Sequence, residues 1–104
     1  MTDFGKEFIR LIKEGFECFF RYQGQVYFYS LTYRPDERDP CDMSKWEYML
    51  RLRTVEENPR DDVDVWHDVQ VGEEPLEKFL EAKLFGGKTI IDIADDIEWA
   101  NEYF

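Results

Sequence analysis

Residues 16–33 have the sequence FECFFRYQGQVYFYSLTY, and this stretch decides the fold. Between residues 16 and 22 an apolar side chain recurs at every second position, which is the period of a β-strand. Gln23-Gly24-Gln25 predicts a tight turn, and the β-branched and aromatic residues at 26–33 predict a second strand. The stretch therefore predicts an antiparallel hairpin.

The periodicity outside the hairpin predicts further elements on both sides of it. Apolar residues at helical spacing predict a helix over 3–14, with Asp3 as its N-cap and Gly15 at its end. Alternation returns at 45–54 and at 63–71, which predicts two more strands joined by polar connectors. Two C-terminal helices are expected. One begins at Pro75 and stops at Gly86-Gly87, and the other begins at an N-cap at Thr89 and includes residues up to Glu98.

The order of these elements predicts an α+β fold. Four consecutive strands with no helix between them favour an antiparallel meander. We expect a four-stranded antiparallel sheet with an N-terminal helix and two C-terminal helices, in the order α-β-β-β-β-α-α, with the helices on one face. A chain of 104 residues predicts one domain over 1–104.

Composition excludes several classes of protein. There are 24 Asp and Glu against 13 Lys and Arg, a formal net charge of -11, which argues against direct nucleic-acid binding through phosphates and against anionic lipid. A hydrophobic fraction of 43% and an aromatic fraction of 17% argue against disorder.

The start of the chain and its cysteines predict a cytoplasmic location. The first residues lack a signal peptide, and no apolar run is long enough to span a membrane. In the reducing cytosol Cys18 and Cys41 are expected to stay unpaired, with Cys18 in the core.

No motif predicts an enzyme, a metal site or a cofactor. Residues 82–89 approach a Walker A loop but lack its first glycine and the strand that should precede it. Neither serine lies in a strand–turn–helix elbow. Strand alternation would place Asp62, Asp64 and Asp68 on one face and His67 on the other, so these groups would not converge on a cation.

The negative charge is unevenly distributed. Residues 1–34 carry a net charge of +1, residues 35–74 carry -8, and residues 75–104 carry -4. Carboxylates on a rigid scaffold can occupy the Arg and Lys groove of a nucleic-acid-binding protein, although the same excess also promotes solubility. The predicted partner-binding residues form two patches: Asp61, Asp62, Asp64 and Asp68, and then Asp92, Asp95, Asp96 and Glu98.

An alternative function uses the sheet itself. If the helices leave one face uncovered, Tyr27, Tyr29 and Tyr33 could combine with Arg51 and Arg53 into a platform for single-stranded nucleic acid. The same tyrosine face could equally be the core, because it is more apolar than the opposite face of that strand. The sequence leaves the choice of buried face open.

Residues 76–98, LEKFLEAKLFGGKTIIDIADDIE, resemble a stretch in small acidic accessory proteins of phages and mobile elements in Gram-positive bacteria. The resemblance lies in a helix ending Ala-Lys-hydrophobic-Phe, then Gly-Lys, then a short helix with paired hydrophobic and acidic residues. It implies an anti-defence protein similar to the anti-CRISPR inhibitors, acting on a basic host protein such as a defence nuclease, and it carries over no catalytic residue.

An uncovered sheet face or edge would also allow homodimerisation.

Overall fold

The sheet extends in both directions from the predicted hairpin. The computed structural model describes residues 1–103. It contains five strands and three α-helices: α1 (Asp3–Lys13), β1 (Cys18–Tyr22), β2 (Gln25–Arg34), β3 (Glu47–Val55), β4 (Asp64–Val71), α2 (Leu76–Glu81), α3 (Ile90–Ile93) and β5 (Glu98–Trp99). Short 3-10 turns occupy Met43–Lys45, Pro59–Asp61 and Asn101–Tyr103.

The strand order is β4-β3-β2-β1-β5, and every neighbouring pair is antiparallel. The α+β class, the meander of β1 to β4 and the N-terminal helix are therefore confirmed. The strand count of four is wrong, because β5 pairs with β1 through Phe20 opposite Trp99. Both predicted C-terminal helices are also too long. Helix α2 ends at Glu81 and not at Gly86-Gly87, and α3 ends at Ile93, while Glu98 lies in a strand.

Two helix caps were predicted, and one prediction is wrong. The N-cap of α1 is Thr2, whose hydroxyl accepts a hydrogen bond from the Gly5 amide at 3.0 Å, and Asp3 is the first helical residue. Thr89 caps α3 as predicted, and its amide donates to the Asp92 carboxylate at 2.9 Å to complete a capping box.

One face of the sheet is buried beneath all three helices. Register places Cys18 beside Tyr29 and Tyr29 beside Leu52, and each of these residues is at most 4% exposed. Phe8 of α1, Phe79 of α2 and Ile93 of α3 are fully buried in the same cluster. The tyrosine face of β2 is therefore the core face.

Tyr29 joins three elements at the centre of this core. Its hydroxyl donates a 2.8 Å hydrogen bond to the Ile12 carbonyl near the end of α1, and its ring stacks on Phe79 of α2 with centroids 5.6 Å apart. Burial raises the pKa of the Tyr29 hydroxyl, so the group stays protonated and keeps donating.

We expect Tyr29→Phe to reduce the free energy of unfolding by about 0.5–1.5 kcal/mol, because the Ile12 carbonyl loses its buried donor while the ring remains. Urea denaturation followed by circular dichroism measures this change. Tyr33→Phe is the matched control, since the Tyr33 side chain is 62% exposed and its hydroxyl makes no hydrogen bond within residues 1–103. Equal effects of the two substitutions would contradict the assignment.

Candidate functional site

The first predicted acidic patch does not form one continuous surface. Asp61 is exposed at the end of a 3-10 turn, whereas Asp62 accepts a 2.7 Å hydrogen bond from the Glu56 amide and closes the β3–β4 connection. Asp68 lies on the core side of β4, half-buried, beside the Gln70 amide at 3.3 Å. Only Asp61 among these three presents an exposed carboxylate with no internal hydrogen bond in the described chain.

A β-bulge corrects the predicted faces of β4. Leu52 pairs with Trp66 but Arg53 pairs with Asp64, so Val65 is an extra residue and the alternation shifts by one. Asp64 therefore lies on the same face as His67 and opposite to Asp68. Arg51 donates to Asp64 at 2.7 Å, and this hydrogen bond lowers the pKa of the Asp64 carboxyl.

The second predicted patch is divided between structural and exposed carboxylates. Asp92 belongs to the α3 capping box, and the hydrogen bond from the Thr89 amide lowers its pKa. Asp95 accepts from the Thr2 hydroxyl at 2.7 Å and from the Thr2 amide at 2.8 Å. Asp96 and Glu98 are exposed, and within residues 1–103 their side chains form no hydrogen bond or ion pair.

The two patches lie at opposite edges of the sheet. Asp61 is next to β4, the first strand in the order, and Glu98 is in β5, the last. Four inter-strand steps separate these edges, about 19 Å at the usual strand spacing. The two patches are therefore separate parts of the surface.

Most of the carboxylates are not neutralised within the molecule. In the described part of the chain seven of the 24 Asp and Glu side chains form ion pairs with Arg or Lys. The rest leave a negative surface that extends along the connectors, α2 and the turn after α3.

Sequence reasoning missed a group of aromatic side chains at the end of the β2–β3 hairpin. Tyr33 stacks on Trp46 with centroids 5.1 Å apart and planes 9° apart, and Tyr48 lies 6.5 Å from each. The alternation of the third predicted strand already placed Trp46 and Tyr48 on one face. The sequence does not give the register between β2 and β3, and this register is what brings Tyr33 beside them.

The predicted Tyr and Arg platform is wrong. Tyr27 and Tyr29 lie on the core face, whereas Arg51 and Arg53 lie on the face that the helices leave uncovered, which we call the open face. The open face instead carries a row of other residues. The ring centroids of Phe19 and Phe28 are 4.5 Å apart, and the Arg53 guanidinium lies 5.4 Å from the Phe28 ring centroid.

Other expected features can be placed directly. Cys18 is buried, which raises its pKa to about 12, while Cys41 is exposed, and neither forms a disulfide. Within residues 1–103 no three His, Cys, Asp or Glu side chains are grouped as metal ligands, and no helix is long and apolar enough to span a bilayer. No family model, curated protein or solved structure matches this chain.

We expect Asp95→Asn to be less stable than the wild-type protein at pH 7, by an amount that shrinks as the pH falls below about 4. The Thr2 hydrogen bonds lower the pKa of Asp95, so their stabilisation is present above the unfolded pKa and is lost as pH falls through the lower folded value. Urea unfolding at a series of pH values measures the difference. Asp96→Asn is the control, and a pH-independent deficit in Asp95→Asn would contradict the role of its ionised form.

Proposed function

We propose that this protein is a non-enzymatic binding protein that engages a basic partner protein through its exposed carboxylates. The observation that carries the proposal is the small share of carboxylates held in ion pairs, seven of 24. A rigid negative surface steers positively charged partners and competes with phosphate for their Arg and Lys side chains. The chemistry fits a host nucleic-acid-binding protein, such as a defence nuclease, in the bacterial cytoplasm.

The proposed origin in a phage or mobile element rests on the resemblance of residues 76–98. In this proposal the chain inhibits its target by occupying the nucleic-acid groove. Of the predicted partner-binding residues, Asp61, Asp96 and Glu98 are the ones best placed for such contacts, because folding makes no use of their carboxylates in the described structure.

We expect Asp61→Asn, Asp96→Asn and Glu98→Gln, combined in one variant, to capture less basic protein than the wild-type chain. Immobilised protein is incubated with a Gram-positive lysate at about 50 mM and about 200 mM salt, and bound proteins are quantified by mass spectrometry. The proteins lost at higher salt should be enriched in nucleic-acid-binding proteins and should be displaced by added DNA.

The matched control carries Glu7→Gln, Glu14→Gln and Glu17→Gln, which removes the same charge from α1 and the residues after it. This control should retain capture. If both variants capture as the wild-type chain does, or if the captured proteins are not basic, the proposal is wrong.

A second candidate function is single-stranded nucleic-acid binding by the open face. The observation that favours it is a row across β1, β2 and β3 formed by Phe19, Phe28 and Arg53. Tyr103 of the last 3-10 turn extends this row, because its ring stacks on Phe19 with centroids 5.2 Å apart. Arg21 and Arg51 on this face are paired with carboxylates, whereas Arg53 forms no ion pair within residues 1–103. Tyr103 is 41% exposed and the two Phe rings are half-buried, and rings beside an arginine can stack with bases.

We expect Phe28→Leu to weaken binding of a labelled oligothymidine by at least about fivefold if the open face has this function, because base stacking on the ring is lost. Fluorescence anisotropy at about 50 mM salt measures the affinity. Phe16→Leu is the control, since Phe16 lies outside the sheet and is 53% exposed. No binding by the wild-type protein would exclude this second function.

A further inference from the structure

Strand β4 forms one edge of the sheet, and its outer side is unpaired. It comes first in the strand order, so β3 is its one neighbouring strand among residues 1–103. An edge strand presents a row of backbone N–H and C=O groups that can pair with another strand. The opposite edge is β5, which has only two residues, so β4 offers much the longer row.

A hydrogen bond at the end of β4 shows which of its residues present these groups. The Gly72 amide donates to the Trp46 carbonyl at 2.8 Å and so points towards β3. In an antiparallel pair this direction alternates from one residue to the next. The backbone N–H and C=O groups that point to the free edge are therefore those of His67, Val69 and Val71.

The segment 67–71 lacks the usual features that protect an edge strand. It contains no proline and no lysine, and the bulge at Val65 lies before it. On the open face Val69 is 47% exposed and Val71 is 65% exposed. The free edge therefore combines unpaired backbone groups with exposed apolar side chains.

A second copy of the same strand fits this edge in an antiparallel register. With a two-fold axis at Val69, the two Val69 residues pair with each other, and His67 of each copy pairs with Val71 of the other. Each of these pairs exchanges both of its backbone hydrogen bonds. On the core face Asp68 of one copy then lies opposite Gln70 of the other, and an amide opposite a carboxylate is a compatible cross-strand pair.

The neighbouring registers fit less well. An axis at Asp68 places two carboxylates directly opposite each other, and like charges in this position are destabilising. An axis at Gln70 places His67 opposite a residue beyond the end of the strand, where Gly72 at φ 85° leaves the extended conformation. The register centred on Val69 keeps every hydrogen-bonded pair within β4 and opposes no like charges.

We propose that two copies of this chain pair along β4 and form a dimer with one continuous sheet. The register on Val69 keeps the helices of both copies on the same side, so the two open faces join into one surface. On that surface Met49 and Val69 of each copy form a single apolar row. Both copies use the same edge, so the assembly closes at two. This inference goes beyond the proposed function and does not depend on it.

Sedimentation equilibrium of the full chain, from about 10 μM to about 500 μM protein, measures the self-association. We expect a weak dimer, because one pair of strands buries less surface than a stable interface of about 1,600 Å². The dimer should tighten between about 50 mM and about 500 mM salt, because salt screens the repulsion between two chains of charge -11. Capture of a basic partner weakens over the same range, so the two proposals respond to salt in opposite directions.

We expect Val69→Lys to weaken self-association by at least about fivefold, because it removes an apolar contact and places two ammonium groups directly opposite each other. Val63→Lys is the matched control. Val63 is 60% exposed, lies outside β4 and undergoes the same change of charge. Circular dichroism verifies that both variants are folded.

Cysteine substitutions test the register directly. In a Cys41→Ser background, Val69→Cys brings two thiols to paired positions, and mild oxidation should link the dimer by a disulfide. Val71→Cys should cross-link more slowly, because the register separates its two copies by about 14 Å. Val71 is the more exposed of the two sites, so random oxidation would favour it instead.

A monomer at every concentration and salt would overturn the dimer and leave the proposed function untouched. A dimer that Val69→Lys does not weaken would lie on another surface, such as the open face, and would also overturn pairing along β4. Equal cross-linking at positions 69 and 71 would contradict the register.

Discussion

The buried Tyr29 side chain, its hydroxyl and ring together, is the constraint on which the packing of α1 and α2 against the sheet depends. A phenol at the centre of an apolar core must find an acceptor, and its partner is the Ile12 carbonyl near the C-terminal end of α1. This hydrogen bond holds the end of α1 over β2, on the side of the sheet opposite the open face. The ring on the same side chain stacks on Phe79, so α2 is placed by the same residue.

The carboxylates have two different roles in this molecule. Asp62, Asp92 and Asp95 accept hydrogen bonds from backbone amides and hold a connector, a helix start and the N-terminus in place. Carboxylates such as those of Asp96 and Glu73 accept no hydrogen bond within the described chain and are exposed to solvent. A total charge of -11 therefore overstates the surface available to a partner, and a binding argument has to begin with the carboxylates that folding leaves unused.

The hairpin could be predicted because alternation and a Gly-containing turn are local signals, and the Thr89 cap for the same reason. Both faces of β2 are apolar enough to be buried, so the sequence of the strand does not show which one faces the core. The packing of the helices on Tyr27 and Tyr29 decides it. The bulge at Val65 shifts the faces of β4 and has no signal in the period itself. Strand β5 has only two residues, too few for a periodic signal, and it forms by pairing with the otherwise unpaired edge of β1. These three features are decided by tertiary contacts.

The two hydrogen bonds from Thr2 to Asp95 have a consequence for the order of folding. It connects residues 93 positions apart, and β5 closes the edge of β1 only when residues 98–99 arrive. Contacts so distant in sequence are slow to form, because a long loop must close before they stabilise anything. During synthesis the edge of β1 therefore stays unpaired until residues 98–99 emerge, and for that period it is exposed to pairing with another nascent chain.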